Sequence, residues 1–387
     1  MTEATGARAP IARVPLHVIA REWGRIGVIG VGGPPAHIAL LRRLVVEREN
    51  WMSGEEFEHA IAAANLLPGP ASTQLMIYGA WRLRAVRGAL LGGLCFIMPG
   101  LVLIVGLAAV FFTHHPSRII LGAALGAGAT VPAIAARTAW QLALPSWRTP
   151  ADNAARVRWC LYGALGAATS LFAPALVVVA LVACGVTEVL ARRAHRAHGV
   201  VAGLATGHAL TLGGLGALSW VALKVGALSY GGGFVIIPLM QHDVVTTYHW
   251  MSGAQFLNVV ALGQVTPGPV VLTVSAVGYA SHGLVGAALA TVVVFAPSFA
   301  FVIAGGPHFE RLRHSTAVSA FLAGAGPSVI GAIGASAISL AMLVSHAWQG
   351  AVLVVALIWL FALRRHTTVM LLAAAVAGAL LSSVVSI

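Results

Sequence analysis

Charge is scarce in this sequence. Only 9% of its 387 residues are Asp, Glu, Lys or Arg, against roughly 25% in a soluble domain, so water is not the main solvent of the fold. There is one lysine, Lys224, and there are two aspartates, Asp152 and Asp243. Neither aspartate sits in a phosphorylation motif, and no GxxxxGK[ST] loop precedes a helix, which excludes ATP-driven pumping by this chain alone. Carboxylates are nearly missing from the apolar runs, where a metal-cation path would place them, so an anion is favoured as cargo. The three cysteines, Cys95, Cys160 and Cys184, lack metal-ligand or CxxC spacing, which implies no disulfide framework or CxxC chemistry; no metal site and no cofactor are expected. No intramembrane pair of Ser with His, or of carboxylates, supports an enzyme. Residues 1–20 lack the apolar core of a cleavable signal peptide, so 1–22 are expected to stay as a cytoplasmic N-terminal segment.

What is present is apolar. Hydrophobic residues make up 59% of the chain, in runs long enough to cross a hydrocarbon core of about 30 Å as helices of roughly 20 residues. The runs lack the alternation of an outer-membrane barrel, so the class is an all-α polytopic membrane protein. The net charge of +12 resides in short loops as a topology signal and does not point to nucleic acid.

The sequence also repeats itself. Trp51-Met52-Ser53-Gly54 recurs as Trp250-Met251-Ser252-Gly253, a shift of 199 residues, and Pro68-Gly69-Pro70 recurs at the same shift as Pro267-Gly268-Pro269. Arg82, Arg84 and Arg87 follow the first copy, whereas the matching loop at Ser281 and His282 has no Lys or Arg, which predicts two inverted homologous repeats. Two six-span repeats of opposite orientation need an odd linker, so about 13 spans (10–13) are expected. The expected units are a first repeat at 23–191, a linker with one helix at 192–223 and a second repeat at 224–387, with spans near 25–44, 56–81, 225–243 and 255–280 among others. One loop disagrees: Arg42, Arg43 and Arg48 would face outward.

Paired helix breaks mark the expected site. Each Pro-Gly-Pro interrupts a membrane helix, and a restarted helix offers free N–H groups and a positive dipole end to an anion. Around Pro68, Gly69, Pro70, Pro267, Gly268 and Pro269 lie the polar residues Asn65, Ser72, Thr73, Gln74, Gln264 and Thr266. Gly32-Gly33-Pro34 and Gly231-Gly232-Gly233 form a second paired break, read equally well as ligand contact or as helix packing. Arg25 and Lys224 align at the same shift and are expected to meet a dianion as a pseudo-symmetric pair. His37 and His59 are the candidates for a coupling proton.

At these residues the chain resembles the chromate ion transporter family in its long two-domain form. The first-half pattern is present as Gly32-Gly33-Pro34-Pro35-Ala36-His37, Trp51, Phe57 and Leu67-Pro68-Gly69-Pro70; the second as Tyr230-Gly231-Gly232-Gly233, Trp250, Phe256, Gly263-Gln264 and Thr266-Pro267-Gly268-Pro269. The resemblance implies a multi-pass inner-membrane secondary transporter that exports chromate and so confers chromate resistance, with sulfate as the isostructural competitor. An anion importer or exchanger for sulfate is the alternative. Protons as coupling ion and a homodimer are both compatible with the sequence, which fixes neither.

Overall fold

The computed structural model describes residues 14–67, 69–113, 117–150, 152–194, 213–229, 236–305 and 315–384. Among them every regular element is helical. In chain order these are α1 (Leu16–Ile29), α2 (Pro34–Arg42, continued by a π-helical turn at Arg43–Arg48), α3 (Gly54–Leu66), α4 (Ala71–Phe111), α5 (Arg118–Ala129), α6 (Val131–Trp147), α7 (Asn153–Phe172) and α8 (Val177–Ala194). Then follow α9 (Gly214–Leu228), α10 (Ile236–Gln241, with a π turn at His242–Thr247), α11 (Gly253–Val265), α12 (Thr273–Gly305, after a 3-10 turn at Val270–Leu272), α13 (Thr316–Ala341), α14 (Ala347–Leu357) and α15 (Thr367–Val384).

Element boundaries recur at the sequence shift. The π turns begin at Arg43 and His242, and α3 and α11 begin at Gly54 and Gly253. Both of those helices are capped by the serine of the Trp-Met-Ser-Gly copy, Ser53 accepting from the Glu56 amide at 3.1 Å and Ser252 from the Gln255 amide at 3.2 Å. Identical local chemistry gives identical helix starts.

Among the described residues, five helical stretches are long and apolar enough to cross a membrane: Ala71–Phe111, Arg118–Trp147, Pro174–Arg192, Val270–Gly305 and Thr316–Ala341. The first two expected spans of each half are something else. Helix α1 has 14 residues and is therefore about 21 Å long at 1.5 Å per residue, short of a crossing. It stops where Gly32 and Gly33 take φ of 112° and 75°, conformations a side chain resists, and Pro34 then restarts the chain as α2. The two helices fold back on each other: His37 Nε2 lies 2.9 Å from the Gly30 carbonyl, and at the other end Arg48 reaches Glu22 at 2.7 Å. The expected span at 25–44 is thus a hairpin with its tip at Gly30–Gly33. Helix α3 and the first arm of α4 make a second one, with its tip at Leu67–Pro70 and Glu56 paired to Arg82 at its open end.

The 41 residues of α4 are likewise not one rod, because Arg84 and Ala85 leave helical geometry, Ala85 with φ 48°. Gly88 then packs against the Ala80 carbonyl, with no room for a Cβ, so the arms double back. His282 and Gly283 break α12 in the same way. This geometry removes the anomaly of the arginine-rich loop. Arg42 bonds Glu58 at 2.6 Å, two residues from the Glu56 that holds Arg82, so the loop returns to the same side as Arg82.

The expected boundary at 223/224 falls inside α9, which runs unbroken from Gly214 to Leu228. Its apolar residues belong to the helix that matches α1, while the rest of the expected linker helix lies outside the described residues. Around Ala173 and Pro174 the chain forms two helices, α7 and α8, joined by a short 3-10 turn.

The halves interlock rather than sit side by side. Helix α5 packs on α15, and α13 packs on α6, α7 and α8. Glycines permit these approaches: Gly122 and Gly126 meet α15 at Gly378, Gly166 meets the Ser328 carbonyl and Gly331 meets the Gly163 carbonyl, which is how helices gain dispersion contacts where lipid removes the hydrophobic drive. Gly166→Val should accordingly destabilise the protein by about 1–3 kcal/mol through overpacking, whereas Gly326→Ala, with open space around it, should not. Thermal unfolding of the two detergent-solubilised variants measures the difference.

Candidate functional site

The tips of the hairpins converge. The amide of Gly268, centre of the second Pro-Gly-Pro, donates to the Gly30 carbonyl at 3.1 Å. That carbonyl also contacts His37 Nε2 at 2.9 Å, and His37 Nδ1 lies 3.4 Å from Ser72 Oγ at the start of α4. Three of the four tips are thus joined through one peptide oxygen and one imidazole. Gly69 and Gly268 hold φ of 120° and 92°, backbone that the turn between opposed helix ends requires.

Beside the convergence lies a cavity of about 430 Å³. Its walls include Gly32, Gly33, Pro34 and Pro35 from the first tip, Asn65 and Gln264 from the C-terminal ends of α3 and α11, and Ala71 and Val270 from the first turns of the restarted chain. The far wall is α6, through Ile134, Arg137, Thr138, Gln141 and Leu142, and α15 closes the cavity with Thr367 and Thr368. Arg137 is the cation of this cavity, and it makes no ion pair among the described residues. Nε2 of Gln264 is buried and has no protein partner. A guanidinium and an amide donor left open inside an apolar fold are costly unless something accepts from them.

The cavity therefore collects part of the expected site and adds to it. Of the residues expected at the site, Gly32, Gly33, Pro34, Asn65 and Gln264 line this cavity. Pro70 and Pro269 cap the restarted chain just outside the lining. Ser72, Thr73, Gln74 and Thr266 are buried behind the lining, where Thr266 turns its hydroxyl to the Gly263 carbonyl at 3.4 Å. Pro267 packs its carbonyl toward Gly100 of α4. Pro68, Gly231, Gly232 and Gly233 lie outside the described residues.

The two histidines do not line the cavity. His37 is buried as a tie between tips, edge-on to Phe96 at 5.0 Å, and His59 sits on the outer face of α3 with Nε2 4.0 Å from Glu55. Nor does the expected cation pair form. Lys224 is held by Asp243 within its own hairpin, and Arg25 lines a separate groove with Glu22, Arg43 and Arg48. The alignment of Arg25 with Lys224 is real in sequence, but neither residue is on the lining of the cavity beside the tips. Arg137, Thr138, Gln141, Thr367 and Thr368 are the lining residues that sequence reasoning missed.

Helical spans, broken hairpins meeting tip to tip and a polar cavity at their junction define a multi-pass membrane transporter. The chain belongs to the chromate transporter family, whose model matches residues 18–205 and 216–379. It is 30% identical over 351 residues to a chromate transport protein of Cupriavidus metallidurans, covering 88% of this chain and 86% of that one. It is also 30% identical over 369 residues to a chromate transport protein of Pseudomonas aeruginosa, with 89% and 85% covered. A probable chromate transport protein of Synechococcus elongatus is 26% identical over 338 residues, with 84% of each chain covered. No solved structure matches. The relatives are transport proteins, so the family is one of carriers and not of enzymes, as the residues suggested.

Proposed function

We propose that this chain carries chromate, or a tetrahedral oxyanion of the same charge such as sulfate, out of the cytoplasm across a bacterial inner membrane and so protects the cell. The observation that carries this reading is Arg137, an intramembrane cation without a carboxylate partner among the described residues, in a cavity bounded by two restarted helix starts. A dianion supplies the missing charge, and the first-turn amides and the Gln264 donor complete its shell.

The two halves are read as inverted repeats running from α1 to α8 and from α9 to α15. Supporting this, the second arms of α4 and α12 pack with opposed numbering, Gly93 against Phe299 and Ala89 beside Val302. Antiparallel mates put the corner at Arg84 and Ala85 on the opposite face from the corner at His282 and Gly283, as the arginine bias of the two loops requires. Cysteine labelling of both corners in intact cells should find opposite sides; the same side for both would end the inversion.

Direction follows from charge. An inside-negative potential expels a dianion with about 4.6 kcal/mol per 100 mV, twice the value for one charge, so export needs no ion partner. In inside-out membrane vesicles an interior-positive potential should raise chromate uptake, sulfate should compete, and a pH gradient of either sign without potential should do less. Uptake driven only by the opposite polarity would identify an importer instead.

A further inference from the structure

A second basic site lies away from the transport cavity. Between α1 and α2, on the outer side of the first hairpin, runs a groove of about 490 Å³ lined by Glu22, Arg25, Ile26, Ile29, Arg43 and Arg48 among others. Its internal charges are partly settled, since the buried carboxylate of Glu22 takes Arg48 at 2.7 Å and Arg21 at 3.1 Å, and Glu47, the second carboxylate of the lining, lies 3.8 Å from Arg42. Arg25 and Arg43 remain, and neither side chain makes an ion pair or hydrogen bond among the described residues.

The matching hairpin of the other half sharpens the point. There the mate of Arg25 is Lys224, and Asp243 neutralises it; the residue of the first half that corresponds to Asp243 is Leu44, and the mate of Arg43 is His242. At the position where one hairpin carries a counter-ion the other carries a leucine, and beside it an extra arginine. The exposed side chains of Arg25 and Arg43 are thereby left open to an anion from outside the chain.

The walls say what kind. The groove has apolar sides from Ile26, Ile29 and Leu44, and the outward face of α1 beside it is bare hydrocarbon, with Val28 57% and Ile29 48% exposed. Side chains on a helix lean toward its N-terminus, so the Arg25 guanidinium reaches toward the open end of the hairpin, where Arg48 and Glu22 sit, as snorkelling arginines do. Basic grooves between membrane helices that open sideways onto acyl chains are suited to a lipid phosphodiester rather than a freely diffusing ion.

We propose that this groove binds the phosphate of an anionic phospholipid, with Arg25 and Arg43 as its ligands and the aliphatic wall of α1 and α2 against its chains. The test uses the full chain, delipidated in mild detergent and exposed to mixed micelles of phosphatidylglycerol and phosphatidylcholine, with retained lipid counted by native mass spectrometry. Phosphatidylglycerol should be retained about 30-fold over phosphatidylcholine, from roughly 1 kcal/mol for each of the two arginines. The doubly substituted Arg25→Gln, Arg43→Gln protein should lose that preference, Arg21→Gln should keep it, and inorganic phosphate should not displace the lipid. Equal retention of the two lipids by the unsubstituted protein would overturn the proposal without recourse to any variant. Displacement by inorganic phosphate would overturn it too, by making the groove a site for soluble anions, and so would an unchanged preference in the double variant.

Discussion

Arg137→Gln is expected to lower chromate transport by at least about 30-fold, because truncating one partner of a desolvated charge pair costs about 2–5 kcal/mol. The gross attraction is larger: a guanidinium about 5 Å from a dianion at an effective dielectric near 20 gains on the order of 6–7 kcal/mol, most of it offset by desolvation. What the glutamine removes is the one charge among the described residues of the cavity lining, and the remaining amides and hydroxyls bind a dianion without neutralising it. Arg137→Lys keeps the charge but gives up the planar fork that matches two oxyanion oxygens, so its loss should be smaller, with affinity falling more than maximal rate. Rates in inside-out vesicles, normalised to inserted protein, check both. Because α6 packs on α13 through its small residues, neither substitution should prevent insertion.

Gly69→Leu should abolish transport while leaving the protein in the membrane. A Cβ at this position would lie 2.5 Å from Gln74 Nε2 and 3.3 Å from both the Gly226 carbonyl and Ser298 Oγ, so the side chain would enter the junction of the hairpins. The φ of 120° adds backbone strain of about 1–3 kcal/mol for any residue with a side chain. Gly268→Leu has more space, its nearest neighbours being Leu272 Cδ1 at 3.6 Å and Gly100 Cα at 3.7 Å. It still carries strain at φ 92° and loosens the amide that holds Gly30, so transport should fall steeply but less than at Gly69. Gly106→Leu, on the second arm of α4 with nothing within 4 Å, is the control that should retain full rate. Membrane content by immunoblot separates failed transport from failed insertion.

The helical class was legible because scarcity of charge and length of apolar runs act through solvent transfer, which needs no tertiary detail. The Pro-Gly-Pro breaks were legible because a proline deletes a backbone donor wherever it stands. Hydropathy did not reveal that Gly30–Gly33 and the corner at Ala85 turn the chain back. A hairpin of two short apolar helices and one full crossing have the same composition, and contacts between the arms, such as Gly88 against Ala80 or Arg48 on Glu22, distinguish them. The outward-facing Arg42, Arg43 and Arg48 were the available sign, since a topology that violates the arginine bias has one crossing too many or too few.

Arg137 was visible as well. An arginine inside the 30-residue stretch Arg118–Trp147 is a functional candidate by the cost of its burial alone. Attention to the repeated motifs passed over it, because Arg137 belongs to neither copy. The match of Arg25 to Lys224 drew attention instead, but repeat symmetry records common descent of positions, and side-chain direction is set by local partners such as Asp243. Thr367 and Thr368 begin the last helix and carry no local motif, and it is the packing of that helix on α5 and α11 that brings them to the cavity.

The central claim is that the oxyanion rests beside Arg137 where the hairpin tips meet. Anomalous diffraction at the chromium edge from crystals of the full chain grown with chromate locates the metal directly. The account predicts a peak within the cavity bounded by Gly33, Asn65, Arg137 and Gln264, weakened when sulfate is in excess. A peak in the Arg25 groove with none at Arg137 would contradict it.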